Sequence, residues 1–124
     1  MSKAQKLCEV AELIMGQSPP STTYNRQGIG LPFYQGKADF GFISPTPRVY
    51  CAVPSKIAEA GDILMSVRAP VGSTNICPSQ SCIGRGIAAI RPHAIDRDFL
   101  YFYLKHIERY IDSLGSGAIF NGYQ

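Results

Sequence analysis

GDILMSVRAPVGSTNICPSQSCIGRGIAAIRP, residues 61–92, holds the clearest strand signals in this chain. Asp62–Val67, Ser73–Cys77 and Gly86–Arg91 are short runs rich in Ile, Val and Met, bounded by turn residues, and each predicts a strand. The loops between them carry two arginines. Arg68 leaves the first strand ahead of Ala69, Pro70, Val71 and Gly72, so its guanidinium is the single polar group of a stiff loop. Arg85 lies between Gly84 and Gly86, with no bulky neighbour to obstruct a ligand. Such a scaffold suits presentation of guanidinium groups to a phosphate backbone or a guanine edge. The competing reading is that either arginine pairs with Asp39 or Asp62 as a structural ion pair.

Upstream, Leu7–Met15 (LCEVAELIM) predicts a short helical turn running into a strand, which GQSPP must end because Pro19 and Pro20 donate no backbone hydrogen bond. Ser21–Gly30 is a loop by composition and Leu31–Gln35 a short strand. Gly36–Pro54 is broken by Gly, Pro and Ser, leaving room for one brief strand at Val49–Val53. Lys56–Ala60 is expected to form a helical turn ended by Gly61. Downstream, one helix is expected from an Asp96 cap to Gly115. It places Phe99, Leu100, Tyr103, Leu104, Ile107, Tyr110, Ile111 and Leu114 at three- and four-residue spacing, an apolar stripe for the core. Tyr101 and Tyr103 are weighed against that as base-stacking aromatics. The fold class is therefore α+β, mainly β: one compact domain over residues 1–124, with a twisted sheet, long loops and one main C-terminal helix.

The chain has 124 residues, 45% of them hydrophobic, enough for a single core. Twelve Lys and Arg against nine Asp and Glu give a formal charge of +3, which permits nucleic-acid binding without demonstrating it. Distribution is more telling. From Leu64 to Ala94, Arg68, Arg85 and Arg91 face no acidic residue, and from Leu13 to Ala58, Arg26, Lys37, Arg48 and Lys56 face only Asp39. No apolar run reaches the roughly 18 residues of a membrane span, and the N-terminus lacks a signal-peptide core, so a soluble cytoplasmic protein is expected. Cys8, Cys51, Cys77 and Cys82 form no CxxC pair and stand at no finger-like spacing from His93 or His106; reduced thiols and no metal site are expected.

GQSPP at residues 16–20, PFYQGKADFG at 32–41, the 61–92 stretch and SLGSGAIFNG at 113–122 together resemble the target recognition domain of the DNA specificity subunit of type I restriction-modification enzymes. The resemblance runs from about Leu7 to Tyr123, with four motifs in the family's order. It implies a domain that reads one half of a split double-stranded DNA site and performs no chemistry. It further implies partnership with a methyltransferase (modification) subunit and a restriction subunit, to which S-adenosylmethionine, ATP and Mg belong; no cofactor is expected on this chain. Specificity subunits of this kind carry two recognition domains, each followed by a long spacer helix. A spacer helix and a second recognition domain are not expected within these residues, so a fragment of a longer specificity protein is one reading.

The candidate DNA-contacting residues follow from both lines. In PFYQGKADFG, Gly36 allows close backbone approach, Gln35 can pair with adenine, and Lys37 can reach guanine or a phosphate; an ordinary hairpin with a solvated tip is the alternative. Arg68 and Arg85 are the second group. Ser116 and Asn121 in GSGAIFNG suit a phosphate, or merely end the helix. The resemblance adds Gln17 and Ser18 of GQSPP. Enzymatic readings lack support: there is no GKS, GxGxxG or GxSxG pattern, and a thiol catalyst would need Cys51 or Cys82 beside His93 or His106. A protein-interaction module is the alternative of another class, with Phe33, Tyr34, Phe40 and Phe42 as its contact patch.

Overall fold

The computed structural model describes residues 7–115. Its centre is the strand β6 (Ile63–Ser66), buried on both sides, which pairs antiparallel with β7 (Thr74–Ile76) and with β9 (Ile87–Pro92). β9 in turn pairs antiparallel with β1 (Ala11–Met15), entered from the single turn of α1 (Leu7–Val10), so the first sheet runs β1-β9-β6-β7. Full burial of β6 explains why Ile63, Leu64 and Met65 are consecutive apolar residues instead of alternating with polar ones.

Short pieces build the second sheet. β2 (Tyr24–Asn25) and β3 (Leu31–Tyr34) flank β4 (Tyr50–Cys51), and β3 pairs in parallel with β8 (Ser81–Ile83), which takes β5 (Ile57–Ala58) on its other side. The order is β2-β4-β3-β8-β5. The two sheets meet at GQS: the Gly16 N–H donates to the Ile87 carbonyl of β9 at 2.9 Å, and the Gln17 N–H to the Ile83 carbonyl of β8 at 3.0 Å.

One core lies between the first sheet and the helices, where Ile63, Met65 and Ile90 pack on Leu100, Tyr101, Leu104 and Ile111. Another, around Tyr34, Leu64, Ile83 and Ile87, joins the two sheets. Asp62, 3% exposed, is bound bidentately by Arg91, with Nε at 2.9 Å and Nη2 at 2.8 Å.

Mixed α and β structure with sheet predominating agrees with the sequence reading, as do β6, β7 and β9, whose ends fall within one residue of the expected spans 62–67, 73–77 and 86–91. Three expectations are corrected. Ile57–Ala58, within the expected helical turn at Lys56–Ala60, is a strand, because β8 offers it ladder partners that local sequence cannot reveal. The single helix is two, α2 (Arg97–His106) and α3 (Glu108–Leu114), broken at Ile107 with φ −102° and ψ 17°. Its stripe is only partly core: Leu100, Leu104 and Ile111 are buried, whereas Phe99, Tyr103, Tyr110 and Leu114 are exposed. Tyr101, weighed as a base-stacking residue, is buried instead. The Asp96 cap is as expected, its carboxylate accepting the Phe99 N–H at 2.9 Å.

Candidate nucleic-acid interface

Three loops close on one recess. The β3–β4 connection supplies Gln35, Gly36, Lys37 and Ala38; the β6–β7 loop supplies Arg68, Ala69 and Pro70; and the β8–β9 turn supplies Gly86. The open space between them is about 530 Å³. Arg85 stands beside it, exposed on the same turn. Parallel pairing of Phe33 with Cys82 and of Tyr34 with Ile83 draws together segments some fifty residues apart.

Each loop is held from beneath. Asp39 Oδ2 accepts the Gln35 N–H at 2.7 Å and the Gly36 N–H at 3.4 Å, tightening the turn that carries Lys37, while Asp39 Oδ1 takes Arg48 Nη2 at 2.6 Å. Further along that connection, buried Asn75 of β7 grips Gly41. Its Oδ1 accepts the Gly41 N–H at 2.9 Å, and its Nδ2 donates to the Gly41 carbonyl at 3.0 Å and the Thr74 carbonyl at 2.8 Å. In the second loop, Ser66 Oγ donates to the Pro70 carbonyl at 3.0 Å and accepts the Ser73 N–H at 3.0 Å. In the third, the Arg85 N–H donates to Ser18 Oγ at 3.3 Å.

Of the candidate residues, Gln35, Gly36, Lys37 and Arg68 line the recess directly and Arg85 is adjacent. Ser18 lies under the Arg85 turn as a hydrogen-bond acceptor, and Gln17 is exposed at the seam between the sheets. Ser116 and Asn121 fall outside the described residues. The competing reading, in which Arg68 or Arg85 pairs with Asp39 or Asp62, loses its basis: those carboxylates hold Arg48 and Arg91. Among the described residues, Lys37, Arg68 and Arg85 have no carboxylate at ion-pair distance, so their charges are unneutralised.

Of the two glycines at the recess, Gly86 has a role the sequence did not suggest. A Cβ on Gly86 would collide with the Gln35 carbonyl oxygen, so this glycine serves contact between two loops of the protein itself. A Cβ on Gly36 would meet nothing within 4 Å, which leaves that backbone open to a ligand. Sequence reasoning missed Asp39 and Asn75 as braces; the only signal for either was a polar side chain, Asn75, inside a strand candidate.

Two alternatives lose their basis. The aromatic contact patch does not form, since Phe33 and Tyr34 are buried and Phe40 packs against the core between the sheets, leaving only Phe42 of the four exposed. A thiol catalyst is equally unsupported: Cys51 and Cys82 are wholly buried while His93 and His106 are exposed, and burial pushes the Cys82 thiol up from its ordinary range.

Comparison with known proteins gives a consistent assignment. The family model of the type I restriction modification DNA specificity domain matches residues 2–122. Over 111 residues the chain is 51% identical to the type I restriction enzyme MjaX specificity subunit of Methanocaldococcus jannaschii, covering 88% of this chain and 26% of that protein. It superposes on the crystal structure of the HsdS subunit from Thermoanaerobacter tengcongensis with a TM-score of 0.85 at 56% identity, over 87% of this chain and 28% of that one. A structure describing complex assembly and conformational transition of the type I R-M system gives 0.86 at 55% identity, over 88% and 28%. The S subunit of M. genitalium, 15% identical, shares the fold with a TM-score of 0.66 over 89% and 28%. The chain thus spans about a quarter of the length of these relatives. With the family's model matched across residues 2–122 and its strand-and-loop framework shared with solved members, this chain belongs to the type I restriction modification DNA specificity domain family.

Proposed function

We propose that this chain is a target recognition domain that reads one half of a bipartite double-stranded DNA site through the recess between its β3–β4, β6–β7 and β8–β9 loops. The observation that carries this reading is the convergence of Lys37, Arg68 and Arg85, all without a carboxylate partner among the described residues, around a recess that also holds Gln35. Unpaired cations on braced loops are set for phosphates or for guanine edges, and Gln35 can make paired hydrogen bonds to adenine. The domain contributes selection and no bond-making step. A methyltransferase subunit and a restriction subunit would bring S-adenosylmethionine, ATP and Mg and carry out the chemistry, in the cytoplasm.

The test is selection of randomised duplex DNA by the purified chain at low and moderate salt, with and without a modification subunit of the same system. Enrichment of one short motif is the expected result. Three cations on DNA give a slope of roughly −2 to −3 in log affinity against log salt, and Arg68→Ala and Arg85→Ala should each flatten it by about one. Unchanged affinity in both variants, or no retention of DNA even with the partner present, would overturn the reading.

A further inference from the structure

The loop that presents Arg68 is clasped from behind by α3. Asp112 Oδ1 accepts the Val71 N–H at 2.9 Å, and Glu108 Oε2 accepts the Ser73 hydroxyl at 3.0 Å. Between these two contacts Gly72, with φ +102°, lies so near the helix that a Cβ would sit 3.1 Å from Ile111 Cγ2 and 3.2 Å from the Glu108 carbonyl oxygen. On the other side the Gly72 N–H donates to the Ser66 carbonyl at 2.9 Å, which ties the loop to β6. The loop is therefore fixed between strand and helix, with Arg68 exposed at its start.

Two acids so close to a surface meant for phosphates carry an electrostatic cost, since each repels the ligand. Their side chains are instead turned onto groups of the loop, one of them a backbone amide that the first sheet leaves free. We infer that Asp112 and Glu108 are positioning residues for DNA recognition, setting the height of the Arg68 loop through Val71 and Ser73, so that Arg68 moves with α3. This rests on the DNA reading above and adds a role that touches no nucleotide.

Charge and positioning make opposite predictions, which gives the test its discrimination. Asp112→Ala removes a negative charge, and by charge alone it would strengthen DNA binding; by loss of the brace it weakens binding. The expected result is a loss on the order of tenfold for the duplex enriched in the selection. Asp112→Asn keeps an oxygen for the Val71 N–H and should retain wild-type affinity or exceed it. Ser73→Ala, which cuts the Glu108 contact from the loop side, should weaken binding in the same direction. In an Arg68→Ala background, Asp112→Ala should change affinity by less than about twofold, because its effect passes through Arg68.

Amide exchange at Val71, measured without DNA, reports on the brace independently: faster in Asp112→Ala, unchanged in Asp112→Asn. Unaltered exchange in Asp112→Ala, affinity that rises or stays level in that variant, or an equal loss in the Arg68→Ala background would each overturn the inference. Absence of any enriched duplex for the wild-type chain would instead refute the DNA reading, with Val71 exchange still deciding whether the brace exists.

Discussion

Gly86 and Gly36 face the same recess from two sides, and replacing each by alanine should separate the packing of the site from its access. At Gly86 the added methyl would run into the Gln35 carbonyl oxygen and come within 3.3 Å of the Gln35 carbonyl carbon and Gly36 Cα. All three are backbone atoms, so no side chain can turn aside. The Gly86 carbonyl also accepts the Val67 N–H at 2.9 Å, which stops the turn from retreating without loss of that bond. Overpacking of this kind costs about 1–3 kcal/mol. For a domain of this size that lowers the melting temperature by roughly 4–12 °C. At Gly36 the methyl meets nothing within 4 Å and the backbone is extended, with φ −176°. Gly36→Ala should therefore melt at or slightly above the wild type, gaining up to about 1 kcal/mol from the unfolded chain. Its DNA affinity should nonetheless fall, because the methyl occupies space that a ligand would use. Calorimetry on both variants, followed by titration with the enriched duplex, makes the comparison. A Gly86→Ala variant that melts with the wild type would refute the packing of the β8–β9 turn on Gln35, and an unimpaired Gly36→Ala would refute a ligand that reaches the recess wall.

Three further outcomes are expected. Asp62→Ala strips Arg91 of its bidentate partner and leaves the Glu59 N–H, now bonded to Asp62 at 2.9 Å, without its acceptor. Because Arg91 is part-exposed and can recover water, the cost should be nearer 2 than 5 kcal/mol in urea unfolding. Burial pushes the Tyr34 hydroxyl up to about 12 from its ordinary 10.0, so the folded state keeps a proton that the unfolded state gives up. Stability from this group is complete below pH 10 and is lost as pH rises through 12, by roughly 2–3 kcal/mol. Tyr34→Phe should flatten the fall in urea midpoint between pH 10 and 12, and a fall as steep as the wild type's would count against this account. Finally, a thiol reagent on the native chain at pH 8 should label Cys8, which is exposed, and spare Cys51, Cys77 and Cys82 until the protein unfolds. Rapid labelling of Cys77, whose thiol burial raises, would contradict the packing between the sheets.

The first sheet was legible in the sequence strand by strand, because its strands carry Ile, Leu and Met between turn residues, although the pairing of β1 with β9 joins segments more than seventy residues apart. The second was largely illegible. Ser81–Ile83 and Ile57–Ala58 are too short for any periodicity; Ser81–Ile83 is a strand because β3 and β5 pair with it, and Ile57–Ala58 because Ser81–Ile83 does. The helical stripe misled for another reason: aromatics occur on all sides of α2, so spacing alone could not tell buried Tyr101 from exposed Phe99 and Tyr103. At the site, Gly36, Lys37, Arg68 and Arg85 were legible as residue types in suitable loops. Their meeting in one recess depends on the parallel β3–β8 pairing, a contact between distant segments that local pattern does not encode.

Net charge alone understates this site, and the hydrogen bonds explain why. A chain at +3 has nearly enough acids to neutralise its bases one for one, yet Lys37, Arg68 and Arg85 remain without ion-pair partners among the described residues. The acids have been assigned elsewhere. Asp39 accepts from the Gln35 and Gly36 amides, Asp62 from Glu59, Asp96 from Phe99 and Asp112 from Val71, so each carboxylate stabilises a turn or a helix start. Where an arginine also joins, it is Arg48 or Arg91, whose guanidinium lies outside the recess. Holding irregular backbone in place with carboxylates thus serves two ends at once: it stiffens loops that no ladder supports, and it keeps those carboxylates out of ion-pair distance of Lys37, Arg68 and Arg85. A substitution that frees one of these carboxylates should therefore weaken binding twice, through a looser loop and through a new competitor for Lys37 or Arg68.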